Sequence, residues 1–339
     1  MRKNYRILVL LAALFIVSAL AFIAGCGAGT GGGTRGYFWN VQNTDINKNL
    51  YGITFKDVNT GWVAGETGTV LKTTNSAIDW TKETTGTTSN LRDIKSYGDD
   101  VWACGDSMTV IRSTNGGSSW ENLNPLRRQT GEESLHSVSL GGYPGAWFCG
   151  DDGVVQFTED GTVWVAFDTG TTQNLYDIVV YNDGKNIAAV GEDGTVVMSD
   201  DSGTSWRVVD SGSNDDLFAV TAVGNGSSLK LWAVGSNGTI LYYTAATGEW
   251  NDVKSYTDED LQGVCFGNQD TGWVVGNNGK ILKTNDGGLS WFDQYSESDE
   301  NLHDVYFSST DLVDGFICGN KGLILKTITG GGNPDYEGH

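Results

Sequence analysis

GWVVGNNGKILKTNDGGLSW, residues 272–291, holds five glycines, a lysine directly after a glycine, and an Asn-Asp-Gly-Gly run. Three readings compete for it: a phosphate loop, a calcium loop, or one copy of a repeated hairpin. A phosphate loop needs G-x-x-x-x-G-K-[ST] running into a helix. Here Val274 stands where the first glycine belongs, and Ile281 follows Lys280. An EF-hand loop reads D-x-[DN]-x-[DN]-G-x5-E, and counted from Asp286 its third, fifth and sixth positions are Gly288, Ser290 and Trp291. The repeat decides the matter. G-W-V-x-G recurs with variation, its last glycines being Gly65, Gly105, Gly150, Gly191, Gly235, Gly276 and Gly319. Successive spacings are 40, 45, 41, 44, 41 and 43 residues. That is the period of a four-stranded propeller blade.

Each copy has one grammar. A Leu-x-x-Ile/Val segment opens a short alternating strand, as in Leu91-Arg92-Asp93-Ile94. The second strand carries an aromatic three residues before the glycine: Trp62, Trp102, Trp147, Trp232, Trp273 or Phe316, with Ala188 in blade four. A tight pair follows, such as Asp152-Gly153 or Asn278-Gly279. Such pairs tolerate the positive φ of a type I′ hairpin turn. The third strand reads like Lys280-Ile281-Leu282-Lys283-Thr284, and the fourth opens with Trp80, Trp120, Trp164, Trp206, Trp250 or Trp291. Copy seven lacks this tryptophan. Trp39 supplies it, because it precedes Leu50 by 11 residues, the spacing of Trp80–Leu91 and Trp291–Leu302. The sequence therefore predicts an all-β, seven-bladed propeller over residues 37–329, its N-terminal strand completing blade seven. Closure of this kind leaves no open sheet edge at the seam.

Residues 1–25 read as a lipoprotein signal peptide: basic Arg2, Lys3 and Arg6, an apolar run over 7–22, then Ile23-Ala24-Gly25-Cys26. That tetrapeptide resembles the lipobox of bacterial lipoproteins, in which the cysteine is lipidated. The alternative is an uncleaved anchor helix. Either one tethers the chain in the cell envelope. Residues 26–36 contain a formal G-x-G-x-x-G, but no strand and helix flank it, so they read as a flexible tether. Residues 330–339 read as a flexible tail.

The formal charge of −21 opposes nucleic-acid binding, which needs basic stripes. Cys104, Cys149 and Cys318 occupy a small apolar slot filled elsewhere by Ala64, Val190, Val234 and Val275, so they read as core residues. No Cys-x-x-Cys or neighbouring histidine suggests a metal site.

The segments ending at Trp206 and Trp291 match the S/T-x-D-x-G-x-x-W pattern of Asp-boxes, with Asp201 and Asp286 as their aspartates. Asn115 replaces the aspartate in blade two, and the versions ending at Trp80 and Trp250 are weaker. With the NLxDI, GWVVG and GxILKT segments, the chain resembles the photosystem II assembly and stability factor family of Asp-box propellers. The resemblance implies a seven-bladed ring that binds membrane-protein assembly intermediates without catalysis. That family is associated with an arginine-rich patch, and no comparable cluster occurs here. Asp-box enzymes give the alternative, a carbohydrate-active protein, either glycan-binding or hydrolytic. A sialidase is opposed by the arginines: none lies in an Arg-Ile-Pro motif, and Arg112 and Arg207 fall on third and fourth strands.

The site expected from the repeat is position x of Leu-x: Tyr51, Arg92, His136, Tyr176, Phe218, Gln262 and His303. These start the innermost strands, so they crowd one mouth of the central channel, and they vary where the rest of the repeat is uniform. Interblade packing is the competing role. The strand 2–3 turns face the same side. They carry Glu66, Asp106, Asp151, Asp152, Glu192 and Asp193 in blades one to four, an acidic rim suited to a cation such as calcium, to a basic partner, or only to solvent. The connection 121–134 has four extra residues and the adjacent Arg127 and Arg128, a candidate recognition loop or a tolerated insertion.

Overall fold

The computed structural model describes residues 39–127, 133–142, 144–308 and 312–332. It contains seven four-stranded antiparallel sheets, each a meander from an inner to an outer strand. Six blades take their strands consecutively. The seventh pairs Asn40–Gln42 with Ile324–Thr327, in the order Asn40–Gln42, Ile324–Thr327, Gly315–Gly319, Leu302–Phe307. The N-terminal strand thus closes the ring. Trp39, fully buried, packs edge-on against Phe307 at 5.7 Å and donates through Nε1 to Gln294 Oε1 of blade six at 3.0 Å.

The core lies between blades. Seven hydrophobic clusters each combine residues of adjacent blades, as where Trp273 and Val275 meet Leu302 and Ile317. Second strands such as Gly272–Gly276 are buried throughout because both faces are covered. Their aromatics stack on the inner strand of the next blade: Trp232 on Phe266 at 3.6 Å, Trp273 on Phe307 at 3.5 Å, Phe316 on Phe55 at 3.9 Å.

The 2–3 turns are type I′, as the sequence predicts. In Asn277-Asn278-Gly279-Lys280 both central residues have positive φ, and the Lys280 amide donates to the Asn277 carbonyl. Blade two places Met108 at the glycine position, at φ 55°. The passage 272–291 is therefore a hairpin of blade six. Asp286 braces its own turn: Oδ1 accepts from Thr284 Oγ1 at 2.8 Å and from the Ser290 amide at 3.0 Å. Burial pushes its carboxyl up, but the hydrogen bonds of Ser290 and Thr284 outweigh this and hold it below the usual range. Asp201 and Asn115 hold the equivalent bonds in blades four and two.

The boundary read at 329 falls inside the propeller. Gly330 and Gly331 are buried: the Gly330 carbonyl accepts from Trp273 Nε1 at 3.1 Å, and the Gly331 amide donates to Thr327 Oγ1 at 3.0 Å. They form the strand 3–4 turn of blade seven, which clasps blade six as Gly287 clasps Trp232 of blade five. A run of glycines reads as a tail in sequence because the indole it touches lies far away in the chain. The remaining tail residues 333–339 lie outside the described residues, as do the signal segment and Cys26.

Candidate functional site at the channel mouth

In all seven blades the register of the inner strand shifts between the leucine and the second residue after it. Residue x is thus the extra residue of a β-bulge, and bulges re-aim side chains. The bulge brings the inner strand against the glycine that ends strand two. A Cβ at Gly276 would overlap the Asp260 carbonyl oxygen, and the six equivalent glycines meet the same obstacle. The constant glycine and the variable residue x are two sides of one device.

Tyr51, Arg92, His136, Tyr176, Phe218, Gln262 and His303 all line one cavity of about 690 Å³ along the channel. Six of the side chains meet in two runs, His303–Tyr51–Arg92 and His136–Tyr176–Phe218. His303 meets Tyr51 edge-on at 5.2 Å, Arg92 lies over Tyr51 at 5.5 Å, His136 meets Tyr176 at 5.5 Å, and Tyr176 meets Phe218 at 5.7 Å. These are favourable aromatic and cation–π separations.

Four mouth residues are also held by the first residue of the 2–3 turn in their own blade. Tyr51 Oη donates to Glu66 Oε1 at 3.3 Å, and Arg92 Nε donates to Asp106 Oδ1 at 2.7 Å. His136 Nε2 lies 2.7 Å from Asp151 Oδ1, and His303 Nε2 lies 2.8 Å from Asn320 Oδ1. The bond from His136 is the main reason the Asp151 carboxyl sits below its usual range. Burial pushes the His303 imidazole down, and the hydrogen bond to Asn320 opposes this in part.

Rim acids also hold the loops that lead into the inner strands. Glu66, Asp151 and Glu192 also accept the amides of Asn49, Ser134 and Asn174, at 3.2, 2.8 and 3.3 Å. Asp106 accepts from Asn90 Nδ2, and Asp193 from Gln173 Nε2. The Asp152 amide donates to Asn174 Oδ1. These acids brace the turns against the loops entering the inner strands. Among the described residues, no three His, Cys, Asp or Glu side chains gather so as to hold a metal ion.

Arg127 is exposed in the long connection, beside Leu126, whose amide and carbonyl both bond the Gln156 side chain. The connection ends at Ser134, next to the His136–Asp151 pair. Arg128 lies outside the described residues.

The sequence reading missed a second ring, directly below the mouth. Residue x+1 is Gly52, Asp93, Ser137, Asp177, Ala219, Gly263 or Asp304, and Lys95 follows two residues after Asp93. Each aspartate stitches two blades. Asp304 accepts the Ile53 amide at 3.0 Å, Asp93 the Val138 amide at 3.0 Å, and Asp177 the Val220 amide at 2.7 Å. Lys95 Nζ lies 2.8 Å from Asp93 and 3.6 Å from Asp304. Burial disfavours the Lys95 charge, but Asp304, Asp93 and Asp177 outweigh this and hold its pKa above the usual lysine range. The signal was present in the sequence: three copies place an ionisable group where the others have glycine, alanine or serine.

A family model described as photosynthesis system II assembly factor YCF48 matches residues 34–178 and 243–335, more than half of the chain. The chain belongs to the YCF48 family. No curated protein sequence matches it. Among solved structures, "YCF48 bound to D1 peptide" superposes with a TM-score of 0.71 at 19% identity, covering 86% of this chain and 96% of that one. YCF48 from Cyanidioschyzon merolae gives 0.70 at 21% identity, over 85% of this chain and 98% of that one. The GH74 xyloglucanase from Xanthomonas campestris gives 0.67 at 13% identity, over 88% of this chain but 55% of that one. At these identities the likenesses establish a shared fold. The YCF48 assignment itself rests on the family match.

Proposed function

We propose that this chain is a non-catalytic member of the YCF48 family that binds a segment of a membrane protein at the channel mouth and assists its assembly. One observation carries the reading. Seven bulges turn side chains of five kinds, Tyr, Arg, His, Phe and Gln, toward one opening of a ring whose leucine and glycine positions are constant. A rigid scaffold with one variable surface is how recognition is usually built. The relative solved bound to D1 peptide supports a polypeptide as the ligand class. The channel carboxylates accept backbone amides of neighbouring blades, which suits bracing rather than hydrolysis.

The sequence before the propeller supports tethering at Cys26 in the cell envelope, with the partner reached from a membrane surface. Cys26→Ala releases the protein from membranes on this reading. Arg127 and Arg128, in the connection that ends beside His136, extend the proposed surface.

Capture from detergent-solubilised envelope tests the function. The wild type retains a membrane protein that Phe218→Ala and Tyr176→Ala release. Retention of glycans by the mouth, with no polypeptide dependent on these side chains, would overturn the reading in favour of a carbohydrate-binding module.

A further inference from the structure

Ser137 carries one hydroxyl proton. Its Oγ lies 2.6 Å from Asp177 Oδ1 and 3.0 Å from Asp93 Oδ2. A hydroxyl donates to one of two carboxylates, and a second ionised carboxylate at hydrogen-bond distance would meet a lone pair. The geometry closes when a proton sits on Asp177: its O–H donates to Ser137 Oγ, and the Ser137 O–H donates to Asp93. The charges agree. Lys95 stands between Asp93 and Asp304, and Asp177 has no ion pair of its own among the described residues. Burial and then the Asp93 charge push the Asp177 carboxyl up to about 7.

The space above this proton suits an organic cation. Tyr176 and Phe218 present rings 5.7 Å apart at the mouth, where a cation gains from their faces. Along the inner strand the Asp177 ring lies one residue deeper, about 3.3 Å, well within the length of a lysine or arginine side chain. The cavity of about 690 Å³ falls in the range of ligand pockets. A bare metal ion fits less well, because the aspartates already accept amides and no three ligands converge among the described residues.

We propose that the channel receives one basic side chain, lysine or arginine, of the segment bound at the mouth, and that this cation takes the place of the proton shared by Asp177, Ser137 and Asp93. The proposal rests on the polypeptide-binding reading above and specifies its ligand. In the exchange the guest ammonium or guanidinium enters, and the Asp177 proton leaves to solvent. Binding therefore strengthens as pH rises. For a proton held at about 7, linkage gives roughly a 30-fold gain in affinity between pH 5.5 and pH 8. Asp93 and Lys95 of blade two and Ser137 of blade three act on Asp177 directly, the buried thiols of Cys104 and Cys149 lie near it, and Arg92, His136, His303 and Asp304 line the same cavity. His303, whose imidazole burial pushes down, can add its own pH dependence, which Asp177→Asn separates.

The test is a selection of displayed random dodecapeptides on the full chain at pH 8, followed by affinity measurements from pH 5.5 to pH 8. Selected peptides are expected to share a lysine or arginine, to lose binding when it becomes norleucine, and to weaken roughly 30-fold at pH 5.5. Asp177→Asn should abolish most of that pH dependence. Should this variant fail to fold, carbon-13 NMR of the wild-type carboxyls serves instead: adding a selected peptide at pH 6 should ionise Asp177. Peptides that bind the mouth, as judged by loss on Phe218→Ala, but carry no basic anchor or bind equally at both pH values overturn this proposal and leave the polypeptide reading standing. Failure to select any peptide sensitive to Phe218→Ala overturns both.

Discussion

Trp39→Ala probes how the ring is closed. Trp39 precedes the three-residue strand Asn40–Gln42, which pairs only with Ile324–Thr327. Such a strand looks dispensable. Its tryptophan is not: it is fully buried, meets Phe307 edge-on, and bonds Gln294 of blade six. Truncation removes a large aromatic from the cluster holding blades six and seven, and it orphans the Gln294 acceptor. Buried tryptophan-to-alanine changes cost about 3–5 kcal/mol. For a domain near this size each kcal/mol shifts Tm by roughly 2–4 °C. A drop of about 6–20 °C follows from combining the two ranges. Val41→Ala in the same strand is the control, since Val41 is 49% exposed and surface changes stay within about 0.5 kcal/mol. The assay is urea unfolding followed by tryptophan fluorescence, with hydrogen exchange of the Ile324–Thr327 amides as a local readout. If Trp39→Ala costs under 1 kcal/mol, or if the two variants behave alike, the seam is not held as described.

Three further outcomes follow from the same geometry. Asp177 has a folded pKa of about 7, above its ordinary value, so the native state holds its proton more tightly than the unfolded chain. Its contribution is present at low pH and is lost as pH rises through 7. Unfolding free energy should therefore decline from pH 5.5 to pH 8, and Asp177→Asn should flatten that decline; equal slopes refute the shared proton. Asp286→Ala removes the acceptor for Thr284 and Ser290 and should cost about 1 kcal/mol, read by urea unfolding, whereas Leu289→Ala, at an exposed side chain of the same turn, serves as a neighbouring comparison. Gly276→Ala forces the inner-strand bulge away from its glycine and should cost about 1–3 kcal/mol; a neutral result would mean that the bulge tolerates a side chain.

The ring was legible because it is a local pattern repeated seven times. Leucine, aromatic, glycine pair and tryptophan recur at fixed offsets, and the 11-residue spacing from Trp39 to Leu50 places the closing strand. The mouth was legible as the position where repetition stops. What escaped depends on neighbours far apart in the chain. Asp93, Asp177 and Asp304 look like ordinary members of the NLxDI segment until the fold sets them against Ile53, Val138 and Val220 of adjoining blades. The acidic rim was legible as charge but not as pairing. Tyr51 with Glu66, Arg92 with Asp106 and His136 with Asp151 are within-blade partners 14 or 15 residues apart, joined by a bulge that no local propensity announces.

The central claim is that the mouth, and not the outer rim, meets a membrane protein. Site-specific photocrosslinking in the native cell tests it directly. A photoreactive residue at Gln262 should yield a discrete adduct with a membrane protein, and one at Val41 on the exposed outer strand should not. An adduct from Val41 with none from Gln262 would contradict the account.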